Sequence, residues 1–334
     1  MRVLFSGFHD SNHSKSGGYD KITNIDLEKK ILLSNNYIGG NAPIASQWSR
    51  IPFYLLDIHT RMLRNRYDIT HFFYGELTSL PFLPYHKSKK HKTVVTLHLR
   101  IEDHKCINLY LNQLRSYDGI IVLSSSQKEL LETKYGIKST FIPHGFSRPE
   151  FKRVPVKDIN DKSIDSSKIN ISTIGSNYRD IETLKYAIKE MVCNKKIQFH
   201  LIGVNENVKD FVKDMPNVSV YSRLDDDQYY TLLSQMDYNF LPLTFATANN
   251  TLLEAQYLNV KSILPKISGS SDYAAPAPLN LFYEDKTDLI KILSNLEKDR
   301  KDTRLEEFAN LNFNWEVIYK QLSQYYSRLY NCKW

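Results

Sequence analysis

The chain has 334 residues, 42% hydrophobic and 24% charged, which exceeds the size at which one core usually stops growing and points to about two domains. It contains no run of about 18 apolar residues, which argues against a membrane-spanning helix. Its three widely spaced cysteines, Cys106, Cys193 and Cys332, argue against a disulfide framework or a Cys/His zinc site and fit a reducing cytoplasm.

The net charge of +7 lies wholly in residues 1–150, where 20 Lys and Arg face 13 Asp and Glu, while the rest balances at 24 against 24. Arg61, Arg64 and Arg66 form one basic cluster, and the run HKSKKHK from His86 to Lys92 forms another. Such clusters attract anionic surfaces, a membrane leaflet among them. A solvated basic face is the plain alternative. No zinc-finger, RNP or helix-turn-helix pattern is present, so nucleic acid is not an expected partner.

In chain order, MRVLFSGFHDSNHS lacks the apolar length and cleavage site of a signal peptide and reads as a first buried strand. Strands are expected at 3–5, 69–73, 93–97, 119–123 and 140–142, with helices between them such as 51–64 and 126–135. The polar stretch KRVPVKDINDKSIDSSK, after PHGFSRPEF, is the linker candidate. The alternation then restarts, with strands at 169–174, 197–202, 218–221, 238–241 and 262–264. Helices are expected at 181–192, 228–235, 252–257, 286–295 and 315–329. Alternating short apolar strands and helical periods imply an α/β protein with two doubly wound, Rossmann-like parallel-sheet domains, 1–150 and 151–312. Ligands of such sheets bind beyond the strand C-termini, and two facing domains are expected to hold theirs in a cleft.

Four segments carry candidate chemistry. SKSGGYDKI places Gly17 and Gly18 where backbone amides could approach a phosphate at a helix start, although a Gly-Gly turn is common and GxGxxG is not matched. In TVVTLHLR, His98 falls just past a strand end, as a site group or as a structural hydrogen-bonder. In STIGSNYRDIETLKYAI, Gly175 permits a tight turn and Arg179 stands where a guanidinium could pair with phosphate oxygens; its plain alternative is a surface ion pair with Asp180 or Glu182. In LTFATANNTLLEAQYL, Asn249, Asn250 or Thr251 could cap a helix or meet a ligand. Glu254 is expected on that helix's first turn, favoured by the macrodipole or placed to accept two hydroxyls of a sugar diol. The 22 tyrosines read chiefly as core and surface filling.

These segments resemble the retaining, nucleotide-sugar-dependent glycosyltransferases of the GT-B fold, specifically glycosyltransferase family 4. The resemblance covers nearly the whole chain and is strongest from Phe141 to Tyr273. FIPHGFSRPEF is similar to the family's IPNGVDxxxF, GSNYRDIETLKYAI to its G…RKNxExLLxA segment, and FNWEVIYKQLSQYY to its closing helix. The resemblance implies that residues 313–334 pack back towards the N-terminal, acceptor-side domain, that Arg179 holds the donor diphosphate and that His98 faces the donor sugar. It also implies that Gly17 and Gly18 form the N-terminal glycine loop, and that Asn249, Asn250 and Thr251 present loop amides to phosphate and sugar hydroxyls. In the family's E-x7-E motif the second Glu binds the ribose, and Glu254 matches it; the first position is Ala246, so that carboxylate is missing and Asn249 or Asn250 is expected to compensate.

The implied reaction needs charge stabilisation on the departing diphosphate, which Arg179, loop amides and a helix N-terminus could supply without a metal or cofactor. DDD at 225–227 precedes a helix and reads as a cap, not as a metal-binding DxD. Expected partners are a nucleotide-sugar donor and a glycan or lipid-linked glycan acceptor, with the basic N-terminal half against an anionic membrane at the cytoplasmic face. The alternatives are a catalytically degenerate nucleotide-sugar-binding protein, motivated by Ala246, and a GT-B-like sugar-nucleotide epimerase.

Overall fold

The computed structural model describes residues 1–9, 16–37, 50–78, 84–104, 107–155, 164–222, 224–298 and 301–331. The chain divides into two compact units, Met1–Ser147 with Phe313–Trp334, and Arg148–Asn312.

In the first unit, β1 (Arg2–Gly7), β2 (Glu28–Leu33), β3 (Ile69–Phe72), β4 (Lys92–Leu97), β5 (Gly119–Val122) and β6 (Thr140–Phe141) form a parallel sheet ordered β2-β1-β3-β4-β5-β6. Its helices include α1 (Arg50–Leu63), the short α2 (Gly75–Thr78), α3 (Ile107–Ser116) and α4 (Ser125–Tyr135). The sheet is buried on both faces: Val95, Leu97 and Val122 pack with Tyr110, Leu114 and Leu131 of α3 and α4, while Leu4 and Leu32 pack with Leu56 of α1. Burial on both sides explains the continuous apolar runs of these strands. β2 was not legible in the sequence, because Glu28, Lys29 and Lys30 sit exposed on the sheet edge and give no strand alternation.

In the second unit, β7 (Ile169–Ile174), β8 (Ile197–Ile202), β9 (Val218–Tyr221), β10 (Tyr238–Phe240), β11 (Lys261–Pro265) and β12 (Leu281–Tyr283) are ordered β12-β11-β10-β7-β8-β9, again parallel. The helices are α5 (Ile181–Glu190), α6 (Glu206–Val212), α7 (Asp226–Ser234), α8 (Asn250–Tyr257), α9 (Lys286–Ser294) and α10 (Arg304–Phe313). Leu184 and Ile188 of α5, Val208 of α6 and Leu289 of α9 cover one sheet face; Leu232 and Leu233 of α7 and Ala255 of α8 cover the other. Strand order reverses between β1 and β3 in the first sheet and between β7 and β10 in the second, and such switch points open crevices at the strand C-termini.

Part of the proposed linker is docked. Lys152 donates its backbone N–H to Asp227 at 2.9 Å and Val154 donates to Thr231 at 3.2 Å, which holds this strip on α7; residues 156–163 of the linker lie outside the described residues. The last helix, α11 (Trp315–Asn331), belongs to the first unit. Its Tyr326 hydroxyl meets His71 Nδ1 at 2.6 Å, and His71 Nε2 meets Thr96 at 2.7 Å. Burial drives His71 down to a pKa of about 3, so it stays neutral. Gly145 is required here by space, since a Cβ would lie 2.4 Å from the Trp315 ring. Among the described residues no helix is long and apolar enough to cross a membrane. Cys193 is a free, exposed thiol; Cys106 and Cys332 lie outside the described residues.

Candidate functional site

At the β7/β10 switch point, two loops are stitched together. β7 ends at Ile174 and Gly175 turns the chain with φ of 72°, a left-handed backbone that favours glycine. Arg179 forms an antiparallel bridge with Leu243 after β10, Thr244 donates to the Tyr178 carbonyl at 3.0 Å, and Asp180 donates to the Pro242 carbonyl at 2.6 Å. These bonds set the backbone on which Arg179 stands.

The Arg179 side chain folds back over the same turn. Nε donates to the Ile174 carbonyl at 3.1 Å and Nη1 to the Asn177 carbonyl at 3.1 Å. No carboxylate pairs with it among the described residues, so the ion pair with Asp180 or Glu182 does not form. Asp180 caps α5 instead, accepting from the Thr183 backbone at 2.9 Å and its hydroxyl at 2.6 Å, and Glu182 faces Lys185 at 3.8 Å. Burial lowers the Arg179 pKa to about 10, which leaves a cation in need of an anion.

Glu254 lies on the second turn of α8, which corrects the expectation of a first-turn carboxylate favoured by the macrodipole. It is buried, and its oxygens accept from Tyr229 at 2.5 Å and Tyr230 at 3.4 Å, both on α7. No basic side chain pairs with it among the described residues. Burial lifts its pKa to about 7, against the lowering effect of the two phenols. Tyr229 lies within electrostatic reach of both Glu254 and Arg179, so among the described residues one phenol feels a carboxylate lacking a cation and a guanidinium lacking an anion.

The polar turn before α8 resolves into distinct parts. Asn249 is the N-cap, its side chain accepting from the Leu252 backbone at 3.3 Å, while Asn250 and Thr251 open the helix, partly exposed. Ala246, where the sequence resemblance would place the first Glu, is 3% exposed. Asp225 caps α7 in a reciprocal capping box with Gln228.

The first unit gathers Gly17, Gly18 and His98. Gly17 and Gly18 are buried, and Gly18 has an ordinary φ of -69° as it starts a short 3-10 helix over Tyr19–Asn24. A Cβ at Gly18 would meet the Asp20 carboxylate at 2.4 Å, so a larger residue would need that side chain to move. His98 follows β4; its Nε2 donates to the Phe73 carbonyl at 2.8 Å, and its ring stands edge-on to Tyr19 at 4.6 Å and over Tyr74 at 4.4 Å. Glu76, at the start of α2, accepts the backbone N–H groups of both His98 and Leu99, the latter at 2.8 Å. Burial raises the Glu76 carboxyl to a pKa of about 7.

Gly175, Arg179, Asn249, Asn250, Thr251 and Glu254 therefore share the second unit, and Gly17, Gly18 and His98 the first. Sequence reasoning missed Tyr229, Tyr230 and Glu76. The YY pair one helix before the Glu254 helix was the available signal for the first two; nothing local marked Glu76, whose partners lie over twenty residues away.

No protein family and no curated protein matches the sequence. Solved structures do match. Sucrose-phosphate synthase from Thermosynechococcus elongatus superposes with a TM-score of 0.68 at 15% identity, over 99% of this chain and 89% of that one. The chain has the GT-B fold. HepE from Anabaena in complex with UDP and glucose gives a TM-score of 0.65 at 12% identity, over 98% of this chain and 100% of that one. The lipopolysaccharide outer core galactosyltransferase WaaB, in its apo form, gives 0.66 at 13% identity, over 98% and 100%.

Proposed function

We propose that the chain is a glycosyltransferase of the family 4 type, moving a sugar from a nucleoside-diphosphate donor to a glycan or lipid-linked glycan acceptor in surface polysaccharide synthesis. It works with retention, without metal or cofactor, at the cytoplasmic face of a membrane. The observation that carries this reading is the Arg179–Tyr229–Glu254 arrangement: among the described residues, a half-buried guanidinium with no carboxylate partner and a buried carboxylate with no basic partner both act electrostatically on one phenol. A nucleoside diphosphate presents the complementary pair, a polyanionic diphosphate and a ribose diol.

In this reading Arg179 and the amides of the Gly175 turn take the charge that grows on the diphosphate as the sugar leaves, preorganised by the bonds that stitch β7 to β10. Glu254 accepts the ribose hydroxyls on lone pairs that the two tyrosines leave open. The loop of Asn249, Asn250 and Thr251 meets phosphate and sugar hydroxyls. His98 faces the donor sugar and the Gly17–Gly18 turn lines the acceptor side. UDP-sugars are the first donors to test, since several structures of the same fold hold UDP.

Calorimetry of the full chain against UDP and UDP-sugars, followed by product analysis with lipid-extract acceptors, tests the proposal. Saturable donor binding with sugar transfer supports it; no binding of any nucleoside diphosphate overturns it. Ala246, buried where the first Glu of the motif would stand, favours one second reading, a binding protein that has lost transfer. Tight donor binding with neither transfer nor donor hydrolysis would select it.

A further inference from the structure

The helix α1 buries one side and presents the other as an uninterrupted apolar stripe. Leu56, Asp57 and Thr60 are fully buried, whereas Ile51 is 41% exposed, Tyr54 41%, Leu55 38%, Ile58 49% and Met62 74%. At about 100° per residue these five lie within an arc of roughly 100°. No charged side chain falls inside it.

A basic rim adjoins the stripe at its C-terminal end. Arg64 donates to the His86 carbonyl at 2.6 Å, and Arg61 lies 3.9 Å above the Tyr85 ring, so the lysine run is held beside the helix. The run is smaller than its letters suggest. His91 and Lys92 are buried, with Lys92 facing Asp118 at 3.7 Å, and Arg61 is spent on the buried Asp57 at 2.8 Å. Arg66, Lys87, Lys89 and Lys90 are exposed.

We propose that this face of α1 docks the protein on an anionic lipid bilayer, with Ile51, Tyr54, Leu55, Ile58 and Met62 entering the headgroup boundary and the rim cations meeting lipid phosphates. Charge complementarity selects this occupant: an apolar stripe bordered by cations is the pattern of an interfacial amphipathic helix. A second copy fits poorly, because five partly exposed side chains on one helix present less than the roughly 600 Å² of accessible surface per partner of a stable interface. The inference deepens the membrane-face part of the proposed function and rests on it only for its purpose.

The test is co-sedimentation of the full chain with vesicles of phosphatidylcholine alone or with about 30 mol % phosphatidylglycerol. Binding at least tenfold stronger to the anionic vesicles, weakened by salt, is expected. Lys87→Glu with Lys90→Glu should weaken it by at least fivefold per position, and Ile58→Glu with Met62→Glu by at least tenfold. Met62→Asp alone, at the most exposed position, serves if the double variant does not fold. Equal binding to both vesicle types, or unaltered binding by the helix variants, overturns the inference. So does a dimer in light scattering that the helix variants dissolve, which would make the occupant a second copy. UDP-sugar binding by the same samples separates the two proposals: vesicle binding without donor binding sinks the transferase reading alone, and the reverse sinks the docking face alone.

Discussion

The two candidate regions differ in what their charged groups meet. In the first, the His98 imidazole donates to the Phe73 carbonyl, the Glu76 carboxyl takes two backbone amides, and His9 meets Asp20 at 2.8 Å. Around Tyr229, Arg179 has only backbone carbonyls and Glu254 only phenols. Among the described residues, a buried carboxylate and a half-buried guanidinium in the second unit lack ionic partners, which costs desolvation. On the proposed reading that cost is offset when the donor binds, whereas the first region holds its groups through hydrogen bonds within its own unit.

The largest expected effect tests that contrast directly. Arg179→Ala should lower kcat/KM by about 100-fold to 1,000-fold, the usual loss when one preorganised donor to a developing anion is removed, about 3 to 4 kcal/mol. Its thermal stability should fall only modestly, by about 1 to 3 kcal/mol, because two hydrogen bonds to backbone carbonyls are lost but no ion pair is broken. Full activity in Arg179→Ala, or a large drop in melting temperature, would show that the guanidinium is structural and would erase the contrast.

Glu254 gives the next effect and a pH signature. Its folded pKa, about 7, is raised above the ordinary value of 4.5, so folding favours the protonated form. The stability it contributes is therefore present below about 4.5 and is lost as pH rises through about 7, on the order of 3 kcal/mol in all. Glu254→Gln should accordingly be more stable than the native chain near pH 8 and no more stable near pH 4. Ribose binding needs the ionised form, so UDP-sugar affinity should strengthen between about pH 6 and 8 and lose that slope in Glu254→Gln. A UDP-sugar is the right probe because its diphosphate does not titrate in this range.

A smaller effect belongs to Glu76. Glu76→Ala releases two amides and should cost about 1 to 3 kcal/mol of stability. It should lower kcat while leaving donor affinity unchanged, with Glu76→Gln restoring much of the rate. A change in donor affinity of the same size as the rate loss would mean that Glu76 does more than position the His98 segment.

Most of the fold was legible because it rests on runs of buried residues. The strands 169–174, 197–202 and 218–221 fall where their apolar runs place them, and α11 follows its helical period. β2 and β12 escaped: Glu28, Lys29 and Lys30 of β2 are exposed and give no alternation, and β12 is three residues long and only partly buried. Within the site, residues that act through their place in the chain were visible: Gly175 in a left-handed turn and Arg179 at a helix entry. What was hidden depends on contacts across the fold. No sequence pattern shows that Asp180 prefers Thr183 to Arg179, or that Glu254 reaches back to Tyr229 on the preceding helix.

The smallest effect separates capping from binding in the polar turn before α8. Asn249 accepts one backbone N–H, so Asn249→Ala should cost about 1 kcal/mol of stability, and Asn249→Asp should recover most of it. If capping is all it does, donor affinity stays within about twofold in both variants. A tenfold loss of donor affinity in Asn249→Ala, with only the capping loss in stability, would mean that its amide nitrogen also meets the donor. That is the compensation the missing carboxylate at Ala246 requires. Substituting Ala246→Glu offers no shortcut, because the position is 3% exposed and a carboxylate forced into it would lack both water and a partner. The Asn249 pair of variants is thus the cleaner measure of whether this loop only caps α8 or also meets the donor of the proposed reaction.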